Sequence, residues 1–239
     1  SYDTYFEHQV MENGVKKEKL DNSPRVFLVA GVGLITLGFS KKWAAIAADI
    51  ATQTIHAKEI AISMGGYSAL DESHIFDLEY MDLQQKKLEK NSGKNLQGQI
   101  AIVTGAAGAI GFGITESLLK SGANVVLADL DEDRLGKIQG ILAEKYGEDR
   151  IEGLIFDITD FESAESALTD ISLKFGGIDI IVPNAGIAYV AKIEEMDPIK
   201  FQQVVDVNLM GVFNVIKASI PVLRRQATGG NVVVISSKN

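Results

Sequence analysis

Between residues 100 and 235 the chain repeats one pattern: a short, almost continuous apolar run, then a helix-length amphipathic stretch. The runs cover 100–103, 125–128, 151–156, 178–182 and 232–235. A strand apolar on both of its faces must be covered on both, and two parallel strands need a crossover helix between them. The alternation therefore predicts an α/β fold, a doubly wound (Rossmann-type) parallel sheet. Helices are expected over 112–120, 132–146, 161–175 and 199–226.

The first 95 residues read differently. A polar helix or loop over 5–20 precedes a strand over 25–30 and a glycine-rich turn over 31–40. Ser40 then caps a long alanine-rich helix over 41–64. Trp43, Ile46, Ile50, Ala57 and Ala61 recur near helical spacing and predict its buried stripe. Gly65-Gly66 ends it, and a further helix is expected over 71–90. The polar, breaker-containing run 86–95 suits a linker. Two domains follow: an α-rich segment over 1–95 and a nucleotide-binding fold over 96–239, expected to be incomplete at its C-terminal end.

Composition removes several function classes. No cysteine is present, which excludes disulfides, thiol catalysis and thiolate metal sites. The three histidines, His8, His56 and His74, share no metal-ligand spacing, so no metal is expected. A net charge of −9 argues against nucleic acid or an anionic membrane as a partner. The apolar stretch 26–39 is shorter than the ~20 residues a spanning helix needs, and glycines interrupt it. No secretory leader is recognised at the N-terminus, and a cytoplasmic location is expected.

The chemistry concentrates at the ends of the apolar runs. Thr104-Gly105-Ala106-Ala107-Gly108-Ala109-Ile110-Gly111 joins the first run to a helix. Glycines there let the backbone turn tightly and approach a pyrophosphate, while the helix N-terminus offers N–H groups and positive potential. Asp129 closes the second run, where a carboxylate accepts bonds from both adenosine ribose hydroxyls and repels a 2′-phosphate. That combination favours NAD. The competing readings are a structural strand-to-helix turn for the glycines and a helix cap for Asp129. Gly31 and Gly33 lack a third glycine and a following strand-end acid, and are assigned to structure.

With Asn184-Ala185-Gly186 ending a later run, residues 96–239 resemble a short-chain dehydrogenase/reductase. Phe156-Asp157-Ile158-Thr159, Val207-Asn208-Leu209-Met210-Gly211 and Val233-Val234-Ile235-Ser236-Ser237 resemble further segments of that family in the same order. The resemblance implies cofactor contacts at Gly105, Gly108, Ile110, Gly111, Asp129, Asp157, Ile158, Asn184, Ala185 and Gly186, with Asp157 near the adenine. It implies catalytic roles for Asn208, in a water relay, and Ser237, which orients the substrate oxygen. It also implies a homo-oligomer and a small-molecule substrate.

Three departures stand out. The glycines fit TGxxGxxG, the extended family's spacing, with Ala109 where the short form has its middle glycine. Pro183 stands where an asparagine is usual and removes a backbone donor. None of the six tyrosines has a lysine four residues on. A phenol with pKa near ~10 needs cationic help to act near neutral pH, so hydride transfer by these residues alone is expected to be slow or absent.

Residues 1–90 resemble the segment before the dehydrogenase domain in bacterial fusions with a class II, rhamnulose-1-phosphate-type aldolase. The carrying segments are 24–34, 46–51 and 75–80. That resemblance implies rhamnose-type sugar catabolism and oxidation of a small aldehyde, alcohol or polyol. The alternatives are a non-catalytic nucleotide-binding module and an extended-type nucleotide-sugar epimerase or dehydratase.

Overall fold

The computed structural model describes residues 1–81 and 94–237, in two compact units, Ser1–Gly93 and Lys94–Asn239. The latter part of the helix expected over 71–90, and most of the run expected as a linker, lie outside the described residues.

In the first unit, helix α1 (Tyr2–Asn13) is capped by the Ser1 side chain and ends at Gly14 in the left-handed conformation. It packs on helix α3 (Glu72–Glu79) through aromatic rings: Phe76 and Tyr80 stack 4.7 Å apart, and Phe6 lies 5.2 Å from Tyr80. The Tyr2 and Tyr80 hydroxyls share a hydrogen bond of 2.7 Å, satisfying polar tips that such packing would otherwise strand.

Two expectations in this unit are corrected. The run over 31–40 is not all turn. Strands β1 (Val26–Val29) and β2 (Gly33–Thr36) form an antiparallel hairpin, in register Val26 with Thr36 and Val29 with Gly33. Ile35 and its neighbours carry the β propensity that the glycines mask in a linear reading. The predicted stripe of helix α2 (Lys41–Ser63) is not buried: Trp43 is 44% exposed and Ile50 63%. Periodicity identifies an apolar face, but whether the face is covered depends on what packs there. Ser40 is the N-cap residue, though its side chain makes no capping bond.

The second unit is the predicted doubly wound fold. Strands β3 (Ile100–Thr104), β4 (Asn124–Asp129), β5 (Ile151–Ile155), β6 (Ile180–Val182) and β7 (Asn231–Val232) form one sheet in the order β5-β4-β3-β6-β7, all neighbours parallel. Helices α4 (Ala109–Lys120) and α5 (Glu132–Tyr146) cover one face, over Val103, Leu119, Val125, Leu127 and Leu142. Helices α6 (Phe161–Phe175) and α7 (Pro198–Gln226) cover the other, over Ile102, Leu168, Ile181, Val215 and Val222. The strands alternate side chains between these two cores, which is why each reads as a continuous apolar run.

Helix α7 is continuous but contains a π-helical turn, Asp206–Gly211, between α-helical segments Pro198–Val205 and Val212–Gln226. Among the described residues it alone is long and apolar enough to cross a membrane by length and composition. Here Val215, Ala218 and Val222 pack one of its faces into the sheet core.

β7 is shorter than the run over 232–235 suggests, and Pro183 explains it. Regular pairing stops at Ile181 with Val232. Beyond that point Val233 N–H still donates to Ile181 (2.9 Å) and Ile235 N–H to the Pro183 carbonyl (3.0 Å). A parallel ladder also needs the reciprocal donor from residue 183, and proline has none.

Candidate functional site

The first strand of the unit, β3, lies at the sheet centre, and the chain crosses to opposite sides of it to form β4 and β6. The crevice at such a switch point, at the carboxyl ends of the strands, is where doubly wound folds bind ligands. Here it is a cleft of about 560 Å³. The strand ends and following turns of β3, β4, β5 and β6 line it, with Val207 of α7. Its size suits a small-molecule cofactor.

The glycine turn forms the floor. Gly105 has φ of +65°, and a Cβ on it would stand 2.7 Å from Ala185 Cα. A Cβ on Gly111 would run into the Gly105 carbonyl and lie 2.8 Å from Ala106 Cα. Gly105 thus permits both the left-handed turn and the approach of the 184–186 loop, and Gly111 lets α4 begin directly against the turn.

The start of α4 differs from its neighbours. Helices α5, α6 and α7 are each capped by an aspartate side chain: Asp131 accepts from Arg134 N–H, Asp160 from Glu162 N–H and Asp197 from Ile199 N–H. The N-cap of α4 is Gly108, with no side-chain bond to the first turn. Its first-turn amides have no intrahelical partner, and residues 108–111 line the cleft at the positive end of the helix.

Asp129 is not a helix cap; Asp131 has that position. One oxygen of Asp129 accepts from Ala107 N–H at 2.9 Å, and the other from Leu130 and Asp131 N–H at 2.8 and 3.2 Å. The carboxylate therefore holds the glycine turn against the end of β4 while lining the cleft. A carboxylate has about four lone-pair positions, so acceptor capacity remains.

On the other rim, Thr104 and Asn184 bind each other's strands. Thr104 Oγ1 accepts from Asn184 N–H (3.0 Å) and Ala185 N–H (3.1 Å). Asn184 Nδ2 donates to the Thr104 and Gly105 carbonyls at 3.0 and 3.2 Å. The Asn184 amide group thus fixes the two loops relative to each other.

All ten expected cofactor residues line this one cleft: Gly105, Gly108, Ile110, Gly111, Asp129, Asp157, Ile158, Asn184, Ala185 and Gly186. The two expected catalytic residues are not among its lining. Asn208 sits in the π turn of α7, where its Oδ1 accepts from Ile187 N–H (2.9 Å) and its Nδ2 donates to Ile187 C=O (2.8 Å). Its side chain thus holds the loop after Asn184-Ala185-Gly186. Ser237 is exposed and follows the stretch paired with β6.

Outside the quoted motifs, the linear reading missed Ala128, Leu130, Arg134 and Ile187. Arg134 donates to the Ala107 carbonyl (3.2 Å) and lies 3.9 Å from Asp131. The available signal was positional: the first turn of a helix that follows a strand-end acid shares a rim with it. Among the described residues no group of three or more His, Cys, Asp or Glu side chains is arranged to hold a metal.

Comparison with known proteins agrees with this geometry. The family model described as short chain dehydrogenase matches residues 99–239, and that described as aldolase class II, second domain, matches residues 1–88. The uncharacterized oxidoreductase YuxG of Bacillus subtilis (strain 168) is 28% identical over 239 residues, all of this chain and 34% of that protein. The structure of an alcohol dehydrogenase from the archaeon Thermococcus sibiricus, complexed with 5-hydroxy-NADP, is 33% identical with a TM-score of 0.53, covering 57% of each chain. That of an NAD⁺-bound xylitol dehydrogenase is 28% identical with a TM-score of 0.57, covering 60% of this chain and 55% of that one. The chain thus spans about half the length of such relatives, or less.

Proposed function

The chain belongs to the short-chain dehydrogenase family through residues 99–239, and from that premise we propose that its second unit is the cofactor-binding part of an NAD-dependent oxidoreductase. The reaction is hydride transfer between NAD and a hydroxyl or carbonyl carbon of a small sugar-derived aldehyde, alcohol or polyol. The observation that carries the cofactor reading is the pairing of an uncapped helix start with Asp129 on one cleft.

The residues fit the group. The first-turn amides of α4 would receive the pyrophosphate at a turn whose close backbone packing side chains at Gly105 or Gly111 would disturb. Asp129 would meet the adenosine ribose, and Phe156, Asp157 and Ile158, which line the cleft, would wall the adenine side. Ala185, Gly186 and Ile187, which also line the cleft, would face the nicotinamide half. When bound, NAD supplies the hydride acceptor or donor; the chain orients it and excludes water from part of its surface. Asn208 fixes the backbone at Ile187, on the wall that would face the nicotinamide.

What supports the substrate class is the aldolase-type segment at residues 1–88, because aldol cleavage of a sugar phosphate yields small carbonyl compounds. What supports a homo-oligomer is the exposure of Leu209 (62%) and Phe213 (51%) on α7.

Arg134 favours a second reading, in which its guanidinium receives a 2′-phosphate and NADP binds. Calorimetric titration of the chain with NAD and NADP separates the two. Tighter binding of NAD is expected. Preference for NADP overturns the assignment to NAD, and binding of neither overturns the cofactor reading.

A further inference from the structure

Helix α7 holds both walls of the cleft. Asn208 grips Ile187 on one wall, as described. Six positions on, Asn214 grips the other. It is 7% exposed, and its Nδ2 donates to the carbonyls of Ile158 (3.0 Å) and Thr159 (3.1 Å). Both hydrogens of the amide are used. The same turn is tightened from within: Asp157 Oδ1 accepts from Thr159 N–H and Oγ1, each at 2.8 Å.

The contact continues one turn earlier on the helix. A Cβ on Gly211 would stand 2.6 Å from Ile158 Cδ1, so the Ile158 side chain occupies the space a larger residue would take. Ile158 and Asp157 both line the cleft. One helix, through an asparagine within its π-helical turn and another just beyond it, therefore meets the loops on both sides of the ligand crevice.

We propose that Asn214 is a positioning residue for an adenine nucleotide: its two bonds, one buried and one half-buried, hold the 157–159 turn in the place from which it walls the adenine. This rests on the cofactor reading above. Asn214 touches no ligand itself. It acts through two carbonyls that, deprived of their donor, would turn toward water and carry Asp157 and Ile158 with them. A buried carbonyl without a donor is unfavourable enough to drive such a shift.

The test uses the whole chain and two probes, NAD and 5′-AMP, titrated against wild type, Asn214→Leu, Asn214→Asp and Asn214→Ser. Circular dichroism and thermal melts establish that each variant is folded. Leucine keeps the volume without donors, aspartate puts oxygens against the carbonyls, and serine retains one donor. The expected result is a loss of affinity for both probes of about tenfold in Asn214→Leu, larger in Asn214→Asp and smaller in Asn214→Ser. Equal losses for NAD and 5′-AMP place the effect on the adenine side. A folded Asn214→Leu that binds 5′-AMP as wild type does overturns the proposal. If the leucine variant does not fold, serine decides: wild-type affinity for 5′-AMP overturns the proposal, and a partial loss supports it. If the wild-type chain binds neither probe, the cofactor reading falls and this inference with it. Wild-type binding that Asn214→Leu leaves unchanged removes this inference alone.

Discussion

Asp129 has two jobs in this fold, and substitution can separate them. Its carboxylate accepts a half-buried bond from Ala107 N–H at 2.9 Å and two exposed ones from Leu130 and Asp131. A hydrogen bond to a charged group contributes about 1.5–3 kcal/mol, while exposed amides exchange their partner for water at little loss. Asp129→Ala should therefore reduce the unfolding free energy by about 2 kcal/mol, nearly all of it from the Ala107 bond. Asp129→Asn keeps an acceptor for Ala107 and loses only the charge assistance, so about 1 kcal/mol is expected. Cofactor selectivity should behave differently. Both variants lose the charged acceptor for the ribose hydroxyls, which should weaken NAD binding by about tenfold, and the charge that repels a 2′-phosphate, which should narrow the gap between NAD and NADP. Denaturant unfolding gives the first quantity and calorimetric titration the second. If Asn destabilises as much as Ala, the Ala107 bond is not the source of the stability. If both variants bind NAD and NADP with wild-type affinities, Asp129 has no part in the site.

Other consequences concern particular residues. Gly105→Ala should lower the unfolding free energy by about 2–5 kcal/mol, combining a left-handed φ with a 2.7 Å clash against Ala185, whereas Gly108→Ala, 3.3 Å from the Gly105 carbonyl, should cost under about 1 kcal/mol; equal melting temperatures would refute the steric argument. Pro183→Ala supplies the absent rung between β6 and β7, so the new amide should exchange slowly with solvent deuterium, and rapid exchange at that position would contradict the proposed end of pairing. Donors from Lys145, Lys120 and Tyr146 lower the Glu116 pKa from 4.5 to about 2. A carboxyl lowered on folding contributes stability above its unfolded pKa and loses it as pH falls through the folded value. The melting temperature difference between wild type and Glu116→Gln should thus shrink between pH 5 and pH 2, and a constant difference would exclude the ion cluster as its source.

Much of the second unit follows from local chemistry. The observed spans of α5 and α6 coincide with their apolar periodicity because Asp131 and Asp160 cap them and Gly147 and Gly176 stop them. The five strands, and their parallel sense, follow from runs that are apolar on both faces and separated by helices. The cleft lining was legible for a related reason: in such a sheet the residues at the carboxyl ends of the strands must converge, wherever they fall along the chain.

Tertiary structure decided what the other residues do. Arg134 reaches the rim, and Asn214 the 157–159 turn, only when α5 and α7 are packed on the sheet. Asn184 and Asn208 carry their side-chain bonds to backbone carbonyls and amides, groups that every residue has and that leave no mark in a sequence. The hairpin β1–β2 depends on pairing that glycines obscure, and the exposure of Trp43 and Ile50 on an evidently apolar helix face depends on what lies against it. By itself the sequence determined which segments of the second unit are strands and helices and where its glycine turn lies, because those follow from spacing along the chain. Which polar side chains hold that turn and the two walls of the cleft depended on distances between segments about 20 to 80 residues apart, which only packing sets.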